Sequence, residues 1–321
     1  MPRLLTHLST VMLGFLIAAP ALAEVRVLTS IKPLQLIAAA IQDGVGTPEV
    51  LLPPGASPHH FTLRPSDIRH VREADMLYWI GPDLETFLPR VLEGRSKSAL
   101  VVQDIDGLHL RRFGEEHRHE DEHNDEHDEH DEHDEGAAEG EHDDLHRPGA
   151  LDAHLWLDPS NARKIASRMA SDLSTADPAN AARYQANLRA FDQRLSAMDK
   201  KLKTRLKPLA GKPFFVFHEA FDYFEEAFGL KHAGVFAVSA DVQPGARKVA
   251  NMRERLESAG PSCVFSEPPI QPRLAQTLSE GLPVRLAELD ALGYDVKVDM
   301  TGYERLLESL GNDLADCLEK L

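Results

Sequence analysis

Short apolar runs alternate along this chain with stretches whose apolar residues recur at helical spacing. Residues 25–29, 50–52, 76–80 and 100–102 read as strands in the first half, and 214–217, 235–238, 264–265 and 284–287 in the second. Helices are predicted between them. Pro33 sits in the first turn of a helix running to residue 41, and Ser66 is placed to cap one running towards residue 73. Asp158-Pro159-Ser160 opens a helix to about residue 173, and Asp177-Pro178 opens a longer one over 179–206. Further helical patterns cover 219–228, 246–258, 273–280 and 302–320. Strands this short, separated by helices, imply parallel pairing with crossover helices. The expected fold class is α/β: two units with parallel sheets flank a helix-rich stretch near 160–206, which makes two lobes. The boundaries follow as 24–158 for the N-terminal lobe, 159–176 for the connecting helix and 177–321 for the C-terminal lobe. A cleft between two lobes is a natural ligand site.

Two segments break the rhythm. At the start, Arg3 precedes an apolar run over 11–19, then Pro20 and the small-x-small triplet Ala21-Leu22-Ala23. That order reads as a secretory signal over 1–23, cleaved before Glu24. The run is well short of the ~20 apolar residues a membrane span needs, and no cysteine near the cut offers a lipid anchor. The second break covers residues 115–146, where Asp-Glu-His recurs without apolar periodicity. This stretch belongs to neither core, and its composition predicts a solvated, disordered loop.

Charge follows the same division. The formal net charge is −17, yet 115–146 holds 17 acidic residues and one arginine. The rest of the chain beyond the leader is nearly neutral. Such a body lacks the basic footprint of a nucleic-acid binder, and 42% hydrophobic residues in 321 support real cores. Eight of the 16 histidines fall in the acidic stretch, where interleaved imidazoles and carboxylates collect transition metals loosely. His119-Glu120-Asp121-Glu122-His123 matches the zinc-protease pattern letter for letter, but no apolar stripe docks it as a helix, so it is repetition.

The histidines outside that stretch sit in more informative places. His59 and His60 follow the turn-rich loop leaving the 50–52 strand, His154 immediately precedes the connecting helix, and His218 ends the strand 214–217. Asp290 follows the strand near 284–287, and Glu267 follows 264–265 as a weaker carboxylate candidate. Ligands of open α/β sheets bind beyond the carboxyl ends of strands. Three imidazoles plus one carboxylate suit a zinc-sized ion, although Asp290 alternatively caps the turn that follows it. His70, His109 and His232 lack this placement and are left to the surface. Cys263 and Cys317 form an even pair in a chain expected to be exported, which favours a disulfide over two separate buried thiols.

Four segments together carry a family resemblance: Leu51-Leu52-Pro53-Pro54-Gly55-Ala56-Ser57-Pro58-His59, Leu63-Arg64-Pro65-Ser66-Asp67, His154-Leu155-Trp156-Leu157-Asp158-Pro159 and Phe214-Phe215-Val216-Phe217-His218-Glu219-Ala220. They resemble the ZnuA-type periplasmic zinc-binding proteins of bacterial zinc ABC importers, in the cluster A-I substrate-binding family. The resemblance runs from about Val25 to the C-terminus. It implies two (β/α) lobes joined by a rigid backbone helix with metal bound between them, in a monomeric periplasmic protein that carries Zn2+ as transported ligand to the membrane subunit of an ABC permease. It also implies metal ligation by His59, His154 and His218, with Asp290 or a water fourth, and a Cys263–Cys317 disulfide as in the zinc branch. Pro58 stands where some zinc members carry Glu, and a swap of ligand from His59 to His60 stays open. Three histidines with an open fourth position also suit an exported zinc-dependent hydrolase, with Glu219 as the base.

Overall fold

The computed structural model describes residues 24–114, 148–236, 245–268 and 273–321. The signal-like leader and the acidic His-rich stretch lie outside the described residues. Two four-stranded parallel sheets organise the chain. The first contains β1 (Val27–Thr29), β2 (Glu49–Val50), β3 (Met76–Trp79) and β4 (Ser98–Val101), in the order β2-β1-β3-β4. The second contains β5 (Phe214–Val216), β6 (Gly234–Val235), β7 (Ser262–Ser266) and β8 (Val284–Glu288), in the order β6-β5-β7-β8. Each half therefore places its first strand inside and reverses direction between its first and third strands. These are the topological switch points beside which open α/β sheets bind ligands.

Burial explains which runs became which strands. The central strands β1, β5 and β7 are buried throughout, so they read as continuous apolar runs. Edge strand β8 is partly buried at Val284 and Ala287 and exposed at Arg285, Leu286 and Glu288. Along β5, Phe214 and Val216 join the large core, whereas Phe215 and Phe217 face a separate cluster with Phe236, Met252 and Leu256.

The helices are α1 (Lys32–Ile41), α2 (Pro65–Glu73), α3 (Pro89–Leu92), α4 (Pro159–Ala176), α5 (Ala181–Leu206), α6 (Asp222–Phe228), α7 (Ala246–Ala259), α8 (Arg273–Ser279) and α9 (Gly302–Leu318). Asp158 caps α4 by accepting the Ser160 N–H at 2.6 Å, with Pro159 in the first turn. Ser66 does not cap α2. The helix begins at Pro65 with Arg64 as its N-cap, two residues earlier, and Asp67 Oδ2 accepts the Arg64 N–H at 2.8 Å. Helix α6 starts at Asp222 rather than near 219, because residues 218–221 are taken up by the turn that presents His218.

α4 packs on α1 and α5, burying Ile165, Ala166, Met169 and Leu173 on one face. α9 then returns to α1 and α5, so the last helix of the chain packs on the first. The approach is close: a Cβ on Gly302 would lie 2.7 Å from Leu36 Cδ2. One apolar core consequently runs through both halves, from Val27 and Leu77 to Phe214 and Phe265. Cys263 of β7 and Cys317 of α9 form a disulfide across 54 residues. Closing a loop of that length is worth ~4 kcal/mol in the chain-entropy account.

Candidate metal centre

Three segments from distant parts of the sequence bring imidazoles to one place. His59 lies on the loop after β2, its backbone N–H donating to Ser57 Oγ at 3.3 Å. His154 precedes a short 3-10 turn, Leu155–Leu157, which leads into α4. His218 follows β5, whose pairing extends one residue further through the Phe217 N–H to Phe265 O at 3.2 Å. The ring centroids are separated by 5.4 Å for His59–His154, 5.2 Å for His59–His218 and 4.8 Å for His154–His218. One nitrogen from each ring lies within 4.8 Å of the other two. A tetrahedral zinc with bonds of ~2.0–2.1 Å sets its donors about 3.3 Å apart, so small ring rotations close the remaining gap. Among the described residues this is the one group of three or more potential metal donors so arranged.

Two of the rings are oriented by carboxylates. His154 Nδ1 lies 2.8 Å from Asp152 Oδ1, and His218 Nδ1 lies 2.7 Å from Glu267 Oε1. A carboxylate accepts only from a protonated Nδ1, which leaves the lone pair on Nε2 for a ligand. Glu267 follows β7, the neighbour of β5, so the His218–Glu267 pair spans the switch point of the second sheet. Glu267, a weaker ligand candidate in the sequence, thus backs a ring. Asp152 was missed as a candidate, and the signal available for it is an acidic residue two positions before a histidine. Behind it, Tyr223 of α6 donates to Asp152 O at 2.9 Å and accepts the Arg111 N–H at 2.8 Å. Arg111 pairs with Glu226 and lies 3.7 Å from Asp222, whose carboxyl burial and the nearby Glu225 push up to about 6.

Asp290 is placed differently. It is not part of the three-imidazole group. Its Oδ1 accepts the N–H groups of Leu292 and Gly293 at 3.0 and 2.7 Å, and Oδ2 accepts that of Tyr294 at 2.6 Å. His60 is exposed while Pro58 and His59 are buried, so His59 is the inward-facing member of the pair. Among the histidines left to the surface, His70 is exposed, whereas His109 pairs with Asp158 at 3.1 Å. His232 is mostly buried against Glu225 at 2.9 Å, which raises its pKa against the opposing effect of burial.

Over residues 27–317 the sequence matches the family described as ZnuA, zinc-uptake complex component A, periplasmic. The chain belongs to the ZnuA family. It is 38% identical over 302 residues to the high-affinity zinc uptake system protein ZnuA of Yersinia pestis, covering 93% of this chain and 92% of that one. Identity to the protein of the same name from Brucella suis biovar 1 (strain 1330) is 39% over 306 residues, covering 92% of each. A crystal structure of ZnuA superposes with a TM-score of 0.72 at 19% identity, over 92% of this chain and 100% of that chain. The Pseudomonas aeruginosa substrate-binding protein FpvC in complex with Ni2+ superposes at 0.70 and 19% identity, over 93% and 98%. These superpositions establish the two-lobed ZnuA fold. ZnuA is a binding component and not an enzyme, so the hydrolase alternative is set aside. Among the described residues no helix is long and apolar enough to cross a membrane.

Proposed function

We propose that this chain captures a zinc ion in the periplasm on His59, His154 and His218 and delivers it to the membrane subunit of an ABC permease. The observation that carries this reading is the convergence of three imidazoles from three distant segments, two of them backed by carboxylates. Neutral nitrogen donors favour zinc over the harder manganese and magnesium ions, which prefer oxygen. The burial of His59 and His154 limits access of competing water. We assign the fourth position to water, because the donors that gather within 4.8 Å of one another are the three imidazoles and do not include Asp290. The acidic stretch 115–146 gathers metal on weaker sites and raises its local concentration. We take the protein to act as a monomer.

Calorimetric titration of metal-free protein with zinc tests this reading. One tight site is expected, lost in each of His59→Ala, His154→Ala and His218→Ala. Retention of that site in all three variants refutes the assignment. Reconstitution with the permease in vesicles, followed by zinc uptake, tests delivery.

A further inference from the structure

The turn that Asp290 organises does more than end a strand. Its three N–H bonds to one carboxylate, with Gly293 in the left-handed region at φ 66°, fold residues 290–294 into a fixed hook. That hook belongs to the second half of the chain but reaches the first. The carbonyl of Ala291 accepts the Trp156 indole N–H at 2.9 Å, and Trp156 is fully buried two residues after His154, with its ring 5.3 Å from that imidazole. The Tyr294 hydroxyl reaches Ala56 O at 3.4 Å, on the loop that carries His59, and Tyr294 O accepts from Lys32 Nζ. Tyr303 of α9 holds Trp156 from the other side, donating to its carbonyl at 2.6 Å.

We propose that the 290–294 hook is a clasp between the halves that sets the positions of His59 and His154, with Asp290 as a positioning residue and not a metal ligand. Asp290 acts by accepting three backbone N–H groups and so fixing the turn. The turn acts by presenting Ala291 O to the His154 segment and the Tyr294 hydroxyl to the His59 loop. The third ligand, His218, sits on the clasp's own half and is held separately by Glu267. Metal affinity then depends on cross-cleft contacts at residues that never touch the ion. This inference rests on the three-histidine reading of the site.

The experiment loads the full chain with Co2+ and records its d–d absorption, and measures Zn2+ affinity against a competing chelator. The variants are Asp290→Asn, Tyr294→Phe, their combination and Trp156→Phe, with thermal melting of each metal-free protein alongside. Tyr294→Phe removes one hydroxyl and is expected to melt like the wild type while binding zinc about three- to tenfold more weakly. Asp290→Asn is expected to weaken binding about 10- to 100-fold while keeping the Co2+ band positions, because the ligand set is unchanged. The double variant is expected to bind no more weakly than Asp290→Asn, since both act through one turn. The clasp is overturned if Tyr294→Phe and Trp156→Phe both keep wild-type affinity. It is equally overturned if Asp290→Asn shifts the Co2+ bands as loss of an oxygen ligand does. Failure of the underlying reading has a different signature: Co2+ bands of the wild type that survive His59→Ala, His154→Ala and His218→Ala alike.

Discussion

Asp152 Oδ1 lies 2.8 Å from His154 Nδ1 and also accepts the backbone N–H of His154 at 3.0 Å. One carboxylate oxygen thus fixes both the main chain and the ring of a candidate ligand, while Glu267 holds the ring of His218. Carboxylates that hold ligating histidines typically account for 10- to 100-fold in metal affinity. Asp152→Asn is therefore expected to weaken zinc binding by about 100-fold and Glu267→Gln by about 10-fold. Chelator competition measures both, and equal affinity in Asp152→Asn and the wild type refutes the orienting role.

The disulfide ties β7 to α9 inside the core rather than at the surface, with both cysteines buried. Replacing the pair, as Cys263→Ala with Cys317→Ala, is expected to lower unfolding stability by roughly 2–4 kcal/mol. Urea unfolding with and without reductant measures it. Reductant should destabilise the wild type and leave the double variant unmoved.

Glu85 is fully buried after β3, accepting the N–H groups of Ile80 and Gly81 at 3.2 and 3.0 Å. Burial pushes its carboxyl up to about 7, against the hydrogen bonds that favour the charge. A carboxyl whose folded pKa exceeds its unfolded value binds more protons when folded. It therefore costs stability as pH rises from about 4.5 to about 7, in total of the order of 3 kcal/mol. Glu85→Gln removes this titration. Its stability relative to the wild type should rise by that order between pH 4.5 and 8, whatever constant offset the substitution adds. Denaturant unfolding across that range reads the slope, and parallel curves refute it.

Residues 111–114 and 148–152 form a short antiparallel ribbon, with Arg112 bridged to Leu151 and the Phe113 N–H donated to Ala150 O at 3.0 Å. The ends flanking the acidic stretch are therefore already side by side, and Gly114 lies against Pro148. Deleting residues 115–146 is expected to leave the fold and the tight zinc site intact while removing weak binding equivalents. Calorimetric stoichiometry at micromolar and millimolar zinc checks this, and loss of the tight site contradicts it.

Two of the candidate ligands stand out in the sequence because each lies at the boundary of an element. His218 closes the apolar run of β5, and His154 stands directly before the 3-10 turn and the Asp158-Pro159 helix start. The choice between His59 and His60 was not legible, since it depends on which of two adjacent side chains the Pro-rich loop turns inward. Asp290 was read both as ligand and as turn cap, and the sequence holds no information on which of these its rotamer serves. The supporting roles of Asp152 and Glu267 depend on contacts no longer than 2.8 Å, which spacing along the chain does not encode. The capping of α2 was misread for a related reason. Pro65 can open a helix, which moves the start ahead of Ser66 and gives the capping role to Asp67.

The return of α9 onto α1 has a consequence for how this protein can be made and handled. A fragment ending before residue 302 would strip the cover from Leu36 and its neighbours on the first helix and leave a greasy stripe facing water. Neither half should survive expression alone as a well-behaved soluble species. During export, the first half waits on the last seventeen-residue helix before its own interior is sealed.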